Sequence, residues 1–303
     1  VLTATSGPGL ALMSESIGLA VAAEIPLLVI DVMRGGPSTG IPTKSEQSDL
    51  NIAVYGLHGD APHVVTAPNS IADCLFTTQW SSHLAESMQV PTIMLSDQSF
   101  GQAMGIVEKP AELAFATRRL VAEGRQADYH RYALTASGVS PMALPGTPGG
   151  QYTADGLEHA VSGTPSSSVA DHNAQLDKRL RKVTGFDYGD HWAQIEGDGS
   201  AAVITWGSAT GPVRQALQRL DPRGGRLRLI SLRLISPAQP ARLAEALSGC
   251  DRIMVVEQSQ TAQFFTHLKA QFDLPPMADL YARPGPQPFR AAEIAAKLED
   301  WLS

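Results

Sequence analysis

The sequence predicts an α/β protein with two parallel-sheet domains. Short apolar segments alternate with stretches of helical periodicity over the first hundred residues, and the same alternation resumes near Ser200. Between these two regions, residues 135–173 are rich in Gly, Pro and Ser, which is typical of an irregular connection. Strands that alternate regularly with helices form parallel sheets, with helices covering both faces.

The first unit is predicted to alternate strands and helices from its first residues. Each strand is a short apolar run that closes at Gly, Pro, Ser or Asp, and the longest helix follows Asn69 or Ser70, either of which can cap it. The predicted strands are 2–5, 27–32, 64–66 and 90–95. The predicted helices are 11–24, 45–55 and 70–89.

The second unit is predicted from the same alternation. Its strands are predicted at 202–206, 227–232 and 253–257, and its helices at 212–220, 240–247, 261–272 and 291–302. A short basic helix at 176–183 precedes it, and its cations are predicted to form a solvated face. These cations are Lys178, Arg179, Arg181 and Lys182.

The composition describes an ordinary globular chain that is acidic overall. Of its 303 residues, 43% are hydrophobic and 17% are charged, and 23 Lys and Arg against 30 Asp and Glu give a net charge of −7. This acidic balance argues against nucleic acid or an anionic membrane as the main partner. No apolar run approaches the roughly 20 residues that a membrane-spanning helix needs.

The cysteine content limits the kinds of site that the chain can hold. Its two cysteines are Cys74 and Cys250. They cannot form a disulfide scaffold, and their scarcity indicates a reducing compartment. Two thiols are also too few for an iron–sulfur cluster, which about four thiolates typically hold.

The segment DVMRGGPSTGIPTKSEQSD, residues 31–49, follows a predicted strand. Gly35 and Gly40 have the spacing of the two glycines in a nucleotide-binding P-loop. That motif requires Lys and then Ser or Thr directly after the second glycine, because the ammonium must reach the terminal phosphates and the hydroxyl the metal. Gly40 is followed by Ile-Pro instead, and Lys44 comes too late. A P-loop is therefore excluded.

Arg34 is a candidate for binding a substrate carboxylate. It is predicted to lie where a strand ends, and ligands of open α/β sheets bind at the carboxyl edge of the strands. A guanidinium group can donate two parallel hydrogen bonds to a carboxylate. The neighbours that could complete an anionic pocket are Ser38, Thr39, Thr43 and Lys44. The alternative is a structural arginine paired with Asp31 or Asp49, and the residues alone leave both roles open.

Three other motifs could be either binding sites or ordinary loops. GSATG at 207–211 lies between a predicted strand and a helix, where free N–H groups could bind an anion, but tight turns of this composition are common. EGDGS at 196–200 contains the Gly-Asp-Gly that begins a thiamine diphosphate metal motif, yet no Asn follows Asn173 to complete it. HGDAPH at 58–63 lacks a further metal ligand at a recognisable spacing. All three are predicted to be turns or loops.

Several consecutive segments together resemble one family. They are TSGPGLALMSE (5–15), DVMRGGPSTGIPTKSEQSDL (31–50), YGLHGDAP (55–62), PTIMLSDQSFGQ (91–102), GLEHAVSGTP (156–165) and VVEQSQTAQFF (255–265). In this order they resemble the α subunit of 2-oxoacid:ferredoxin oxidoreductases over nearly the whole chain, and GLEH with RGGPSTG-x-PTK is closer to the 2-oxoglutarate branch. The resemblance implies a thiamine pyrimidine-binding-type domain at 1–107 without its N-terminal part, a connecting and interface segment at 108–195, and a transketolase C-terminal-like domain at 196–303.

The resemblance also implies roles for residues near the start of the chain. Arg34 and Thr43 match positions that hold the 2-oxoacid carboxylate and line the thiazolium pocket, and Gly7, Pro8 and Gly9 would lie near the aminopyrimidine. The family's Tyr-Pro-Ile-Thr-Pro segment, whose Thr contacts substrate, and its catalytic glutamate are absent here, so no catalytic residue or metal ligand is assigned. Since the chain opens VLTATSGPG without an initiator Met, we expect it to continue a domain whose first part is missing or lies on another chain.

The reaction implied by the resemblance is oxidative decarboxylation of a 2-oxoacid with CoA, with electrons passing to ferredoxin. The implied cofactors are thiamine diphosphate with Mg²⁺, shared with a β subunit, and a [4Fe–4S] cluster on that partner. A missing N-terminal or γ portion, a dimer of heterodimers and a cytoplasmic location are also implied. Two alternatives are kept: another thiamine-dependent enzyme of the transketolase or pyruvate dehydrogenase type, and a non-catalytic scaffolding subunit of the same fold.

Overall fold

The computed structural model describes residues 1–108, 119–125, 127–275 and 277–303, and these residues form two β-sheets. The strands of the first sheet are β1 (Leu2–Thr5), β2 (Leu27–Met33), β3 (Val64–Thr66), β4 (Pro91–Asp97) and β8 (Leu234–Ser236). The strands of the second sheet are β5 (Ala193–Glu196), β6 (Ala201–Trp206), β7 (Leu227–Leu232), β9 (Arg252–Glu257) and β10 (Ala278–Ala282). The strand orders are β1-β2-β4-β3-β8 and β10-β9-β6-β7-β5.

Helices accompany both sheets, and several of them pack directly on the strands. The helices are α1 (Gly7–Ala22), α2 (Leu50–Tyr55), α3 (Ile71–Met88), α4 (Gln98–Gln102), α5 (Val169–Thr184), α6 (Thr210–Leu220), α7 (Pro240–Ala246), α8 (Gln263–Gln271) and α9 (Ala291–Leu302). Ser70 caps α3 by accepting the N–H of Asp73, which confirms one of the two predicted caps. In the described parts of the chain, no helix has both the length and the apolar character needed to cross a membrane.

The prediction of two parallel-sheet α/β units is confirmed, although the sequence does not predict β8 in the first sheet or β5 and β10 in the second. β1, β2, β4 and β3 pair in parallel, as do β10, β9, β6 and β7. Each sheet then ends in an antiparallel strand, β8 beside β3 and β5 beside β7. These two antiparallel strands have only 3 and 4 residues, which carry too little periodicity to be recognised in the sequence. The predicted segment 108–195 extends partly outside the described residues.

Helix α2 begins at Leu50, whereas the sequence predicts a helix from residue 45. The residues before Leu50 have partners elsewhere. The Ser45 hydroxyl donates to the Asp97 carboxylate at 3.2 Å. The Gln47 side chain donates to the carbonyl oxygen of Trp206 in the second sheet at 2.8 Å. Long-range hydrogen bonds therefore replace the intrahelical ones that the local pattern predicts.

Strand pairing, side-chain hydrogen bonds and an ion pair join the two halves of the structure. β8 comes from the second half of the sequence but extends the first sheet by pairing with β3. Beside this pairing, Arg233 forms a buried ion pair with Asp73 at 2.8 Å. Asn69 accepts the N–H of Gly207 and donates to the carbonyl of Ser231, both at 3.2 Å. These contacts hold the end of the second sheet against the end of the first.

The prediction of a solvated face on the basic helix α5 is wrong. Lys178, Arg179 and Lys182 are 0%, 5% and 3% exposed, and of the four cations only Arg181 is exposed. The buried carboxylate of Glu24, just after α1, lies 2.6 Å from Nζ of Lys178 and 3.1 Å from Nζ of Lys182, and Arg179 pairs with Glu158 at 2.6 Å. Local pattern cannot indicate this, because Glu24 and Lys178 are 154 positions apart.

Glu24 is the centre of a buried ionic cluster. Burial by itself would raise the pKa of Glu24, but Lys182 and Lys178 outweigh it and lower that pKa to about 2. Burial lowers the pKa of Lys178 to about 8, even though Glu24 opposes the shift. Arg131 donates to the backbone carbonyl of Glu24 at 2.8 Å. The cluster therefore ties α5 and the segment around residue 131 to the end of α1.

Glu24→Gln should lower the free energy of unfolding by about 3–5 kcal/mol, because it leaves two buried lysines without their negative partner. Denaturant unfolding measures this. Glu15→Gln, at an exposed residue of α1, is the control and should change the value by less than about 0.5 kcal/mol. Because the pKa of Glu24 is lowered, its stabilisation should be complete above about pH 4.5 and be lost as the pH falls toward 2. Equal stability of the two variants would contradict the role of Glu24.

Candidate functional site

The carboxyl ends of three neighbouring strands meet at one edge of the first sheet. β1 pairs with β2, and β2 pairs with β4, all in parallel. The segments that follow these strands, 6–9, 34–44 and 98–102, therefore start side by side. This is the edge at which open α/β sheets bind ligands, and Arg34 lies there, as the sequence predicts.

The 34–44 loop is closed at its base by backbone hydrogen bonds. The N–H of Gly35 donates to the carbonyl of Lys44 at 2.9 Å, and the N–H of Ile41 donates to the carbonyl of Gly35 at 2.8 Å. Gly40 has φ +68°, and a Cβ there would lie 1.7 Å from the carbonyl oxygen of Gly35. Only glycine fits this position, so the closure of the loop on itself explains Gly40.

The predicted substrate-binding residues are spread along this loop. Arg34 is half-buried at the base of the loop. Ser38 and Thr39 are exposed at its tip, and Thr43 and Lys44 are exposed on the segment that leads back to the base. Ser38 and Thr43 have φ +58° and +48°, a left-handed conformation that costs a non-glycine residue about 1–2 kcal/mol. Strain of this kind is concentrated at functional sites of proteins.

Arg34 has no ion pair with any carboxylate of the described residues within the 4.0 Å that defines one. Its Nε atom is buried and has no hydrogen-bond partner in that part of the chain. The structure therefore does not support the alternative in which Arg34 pairs with Asp31 or Asp49. A guanidinium that is half-buried and unpaired at a ligand-binding edge can bind an external anion.

Two aspartates lie beneath this edge, beside the start of α1. The Asp49 carboxylate faces the N–H of Gly7 as acceptor, and burial and Glu46 raise its pKa to about 6 against the opposing effects of that N–H and of Arg34. Asp31 is 0% exposed, and neither of its carboxylate oxygens has a partner among the described residues. Burial, together with the charge of Asp49, raises the pKa of Asp31 to about 8.

The predicted cofactor-binding residues Gly7, Pro8 and Gly9 form the first turn of α1. The N–H of Gly7 faces a carboxylate, and the N–H of Gly9 donates to the carbonyl of Ser6 at 2.8 Å. A Cβ at Gly9 would lie 1.8 Å from Oγ1 of Thr5, so this glycine is needed for packing. Among the described residues, no group of three or more His, Cys, Asp and Glu side chains could hold a metal ion. These residues do not fit a magnesium diphosphate group, and their contact with an aminopyrimidine stays a prediction.

A cleft of about 640 Å³ opens between the two sheets beside the loop. Its walls come from three segments, 43–45, 98–103 and 286–288. Thr43 and Lys44 line it, whereas Arg34 and the loop tip are not among its lining residues. The structure therefore brings Thr43 and Lys44 together in one cavity with residues that follow β10 of the second sheet.

Asp97 is a residue of this region that sequence reasoning does not identify. It is 1% exposed, and its carboxylate accepts hydrogen bonds from the Ser45 hydroxyl at 3.2 Å, the N–H of Ser99 at 2.9 Å and the Ser208 hydroxyl. Burial raises its pKa, and these hydrogen bonds oppose the rise. The sequence feature that could have identified Asp97 is its position at the end of a strand, at the same edge as Arg34. Ligands bind at the carboxyl ends of parallel strands, so the rule applied to Arg34 applies to Asp97 as well.

The remaining motifs have structural roles, as the sequence predicts. Gly207 in GSATG has φ +63°, and its N–H donates to Asn69 rather than to an anion. In EGDGS, a Cβ at Gly199 would lie 2.0 Å from the backbone carbon of Arg226, which is typical of a tight turn. Both ring nitrogens of His63 lie within 2.8 Å of carbonyl oxygens, so neither faces a metal.

Comparison with known proteins gives one consistent result. Residues 1–178 match the family model described as pyruvate flavodoxin/ferredoxin oxidoreductase, thiamine diphosphate-binding. The 2-oxoglutarate oxidoreductase subunit KorA of Mycobacterium tuberculosis is 37% identical over 84% of this chain. The structure of 2-oxoglutarate:ferredoxin oxidoreductase from Magnetococcus marinus, with 2-oxoglutarate, coenzyme A and succinyl-CoA bound, matches 100% of this chain with a TM-score of 0.90 and 37% identity.

These relatives are longer than the chain. The chain covers 40% of the Mycobacterium tuberculosis protein and 53% of the Magnetococcus marinus chain, so it spans about half the length of the proteins that it matches. The transketolase of Campylobacter jejuni, at 9% identity and a TM-score of 0.50 over 99% of this chain and 35% of its own, shares the fold alone.

Gly40→Ala should open the 34–44 loop, because the added Cβ overlaps the carbonyl oxygen of Gly35 and disrupts the hydrogen bonds that close the base. Limited digestion with trypsin, followed by mass spectrometry, should show faster cleavage after Lys44. Gly36→Ala is the matched control, because a Cβ at Gly36 meets no atom within 4 Å, and its cleavage rate should equal that of the unmodified chain. Equal rates in both variants would show that Gly40 does not control loop closure.

Proposed function

The chain belongs to the pyruvate flavodoxin/ferredoxin oxidoreductase family through its thiamine diphosphate-binding region, and on that premise we propose that it is a portion of the α subunit of a 2-oxoacid:ferredoxin oxidoreductase. The proposed reaction is oxidative decarboxylation of a 2-oxoacid with CoA to an acyl-CoA and CO2, with ferredoxin reduced. Among substrates, 2-oxoglutarate is favoured over pyruvate and branched-chain oxoacids. The names of the relatives, which refer to 2-oxoglutarate, support this choice.

The unpaired guanidinium of Arg34 is the observation that carries this proposal. No carboxylate among the described residues competes for it within ion-pair distance, and its buried Nε lacks a partner there. A substrate carboxylate can accept two parallel hydrogen bonds from such a group. Arg34 would then act as a substrate-positioning residue, because a fixed carboxylate holds its bond to the keto carbon in one orientation. Thiamine diphosphate, when bound, supplies the nucleophilic carbon and the electron sink for decarboxylation.

The preference for a dicarboxylic 2-oxoacid is supported by the second cation of the same loop. The hydrogen bond from Gly35 to the carbonyl of Lys44, 2.9 Å long, brings the backbone of Lys44 beside the residue that follows Arg34. 2-Oxoglutarate has two carboxylates, and we assign the one next to the keto group to Arg34 and the distal one to Lys44. Ser38, Thr39 and Thr43 would contribute hydroxyl groups to this anionic pocket.

Other parts of the site are proposed to come from partner chains. The first turn of α1 does not fit a magnesium diphosphate, and two separated cysteines, Cys74 and Cys250, do not hold an iron–sulfur cluster. A β subunit is therefore proposed to bind the diphosphate with Mg²⁺ and a [4Fe–4S] cluster, in a dimer of heterodimers located in the cytoplasm. Residues 1–107, 108–195 and 196–303 are proposed as pyrimidine-binding, connecting and transketolase C-terminal-like parts.

A spectroscopic experiment on the natively purified complex separates this proposal from its rivals. Iron–sulfur absorption that bleaches when 2-oxoglutarate, thiamine diphosphate and CoA are added supports it. A thiamine enzyme of the transketolase or pyruvate dehydrogenase type should turn over 2-oxoacid without such bleaching. A scaffolding subunit should neither turn over 2-oxoacid nor respond to substitution of Arg34.

Arg34→Ala should reduce kcat/KM for 2-oxoglutarate by an amount equivalent to about 2–4 kcal/mol, the usual cost of removing one partner from a desolvated charged contact. Steady-state ferredoxin reduction by the complete enzyme measures it. Arg34→Lys keeps the charge but loses the forked donor, and it should recover part of the loss. The matched control is Arg223→Ala, at an exposed arginine, which should behave as wild type. Wild-type kcat/KM in Arg34→Ala would disprove the clamp.

Lys44→Ala should raise KM for 2-oxoglutarate by about tenfold, because the distal carboxylate loses its counter-ion, and should leave KM for pyruvate almost unchanged. The ratio of the two KM values is the measurement. Lys297→Ala, on α9 and remote from the loop, is the control. An equal rise for both substrates would show that Lys44 does not recognise the distal carboxylate.

A further inference from the structure

The 34–44 loop leads into a buried segment, residues 45–47, which we call the exit segment. Its last residue, Gln47, donates from its side chain to the carbonyl of Trp206 and from its N–H to the carbonyl of Gln258, both at 2.8 Å. Its middle residue, a glutamate, accepts a backbone N–H from the segment after β10 at 2.7 Å. The exit segment is therefore bonded at two of its three residues to the second half of the chain.

Ser45, the first residue of the exit segment, belongs to a group of hydrogen bonds around Asp97. The Ser45 hydroxyl donates to the Asp97 carboxylate at 3.2 Å and accepts the hydroxyl of Ser99 at 2.8 Å. Ser208, which is 111 positions from Asp97, donates through its hydroxyl to the other oxygen of the same carboxylate. Asp97 is 1% exposed. Its carboxylate is therefore a buried junction between the exit segment and the turn that follows β6.

The backbone at Lys44 is held from both sides. Its carbonyl accepts the N–H of Gly35 at 2.9 Å, and the next residue, Ser45, is bonded to Asp97. The preceding residue, Thr43, has φ +48°, and a strained backbone of this kind persists only where surrounding contacts hold it. The side chain of Lys44 is exposed and lines the cleft beside the loop. A mobile cation therefore starts from a fixed backbone position at the edge of this cleft.

We propose that Asp97 and Ser208 are positioning residues that hold Lys44 where it meets the distal carboxylate of a dicarboxylic 2-oxoacid. Ser208 acts through Asp97, and Asp97 acts through the Ser45 hydroxyl. In the described chain, neither Asp97 nor Ser208 is among the residues that line the cleft, so neither is assigned a contact with the substrate. The second half of the chain thereby takes part in substrate selection. This inference rests on the proposed function of Lys44.

The chemistry of two substrates separates positioning from a merely structural role. Pyruvate has one carboxylate, which is assigned to Arg34, whereas 2-oxoglutarate has a second one for Lys44. A displacement of Lys44 should weaken the binding of 2-oxoglutarate alone, because a fixed charge acts on a carboxylate that pyruvate lacks. A general loss of folding should instead affect both substrates equally. The informative quantity is therefore the KM for 2-oxoglutarate divided by the KM for pyruvate, which we call the KM ratio.

Steady-state ferredoxin reduction by the complete enzyme measures the KM ratio. Ser208→Ala should raise it by about three- to tenfold, because a small displacement of a positioned group weakens its interaction. Asp97→Asn, which keeps the size of the side chain, should raise it at least as much. Ser208→Thr keeps the hydroxyl and should retain the wild-type ratio. The matched control is Ser167→Ala, at an exposed serine, which should also retain it.

A double variant tests whether the effect passes through Lys44. In the Lys44→Ala enzyme, the addition of Ser208→Ala should change the KM ratio by less than about twofold, since the group that Ser208 positions is missing. A rise in the double variant as large as in Ser208→Ala alone would show that the two residues act independently, and it would overturn the inference.

Limited digestion with trypsin tests the backbone at Lys44 without turnover. Cleavage after Lys44 should be several-fold faster in Ser208→Ala than in the wild type or in Ser167→Ala. A wild-type KM ratio in Ser208→Ala, in an enzyme whose ratio rises with Lys44→Ala, would overturn the positioning role and leave the proposed function standing. Faster cleavage in an enzyme that reduces no ferredoxin with any 2-oxoacid would overturn the proposed function, and the link from Ser208 to the substrate with it.

Discussion

The pairing of β8 with β3 is the contact on which the rest of this structure depends. It adds a strand from the second half of the chain to the first sheet and thereby sets the position of the second sheet. Asn69, Arg233 and Asp73 reinforce it at one end. The cleft beside the 34–44 loop exists because residues 286–288 are held opposite residues 98–103. A ligand site that uses residues from both halves of the chain can form only when the pairing of β8 with β3 has joined them.

Buried charge is the second organising feature, and it is used in two different ways. Around Glu24, two lysines satisfy the carboxylate while Arg131 donates to the backbone carbonyl, and the result joins α5 to α1. Around Asp31, no cation of the described residues lies within ion-pair distance, and the carboxyl is expected to remain protonated near neutral pH. The first arrangement holds charges in place, because each has a partner. The second leaves a group whose charge responds to pH and to its neighbours.

The candidate site contains part of what the proposed reaction requires. The chain supplies an unpaired arginine, a second cation on the same closed loop, and a neighbouring cleft. The start of α1 does not supply a cradle for a magnesium diphosphate, since its first N–H groups already face partners among the described residues. A site divided in this way is typical of a cofactor bound between subunits, in which each chain contributes the groups for one part of the substrate or cofactor.

Several features of the fold could be predicted because their cause is local. The helix 291–302 and the strand 227–232 match the structure residue for residue, since apolar periodicity and flanking turn residues act over short distances. The position of Arg34 at the end of β2 follows from the same local pattern. The predicted start of the 45–55 helix and the solvated face of α5 are wrong, because Gln47 and Lys178 bond to groups that lie far away in the sequence.

By itself, the sequence determined the alternation of strands and helices, the parallel sheets and the ends of the strands where ligands bind. Tertiary structure decided which charged side chains are buried, which are paired and which stay free. Asp31, Glu24 and Arg34 look alike in a sequence, as charged residues near the ends of apolar runs. Their pKa values and availability differ because desolvation and Coulomb interaction depend on the groups that folding brings within a few ångströms, and these come from distant parts of the chain.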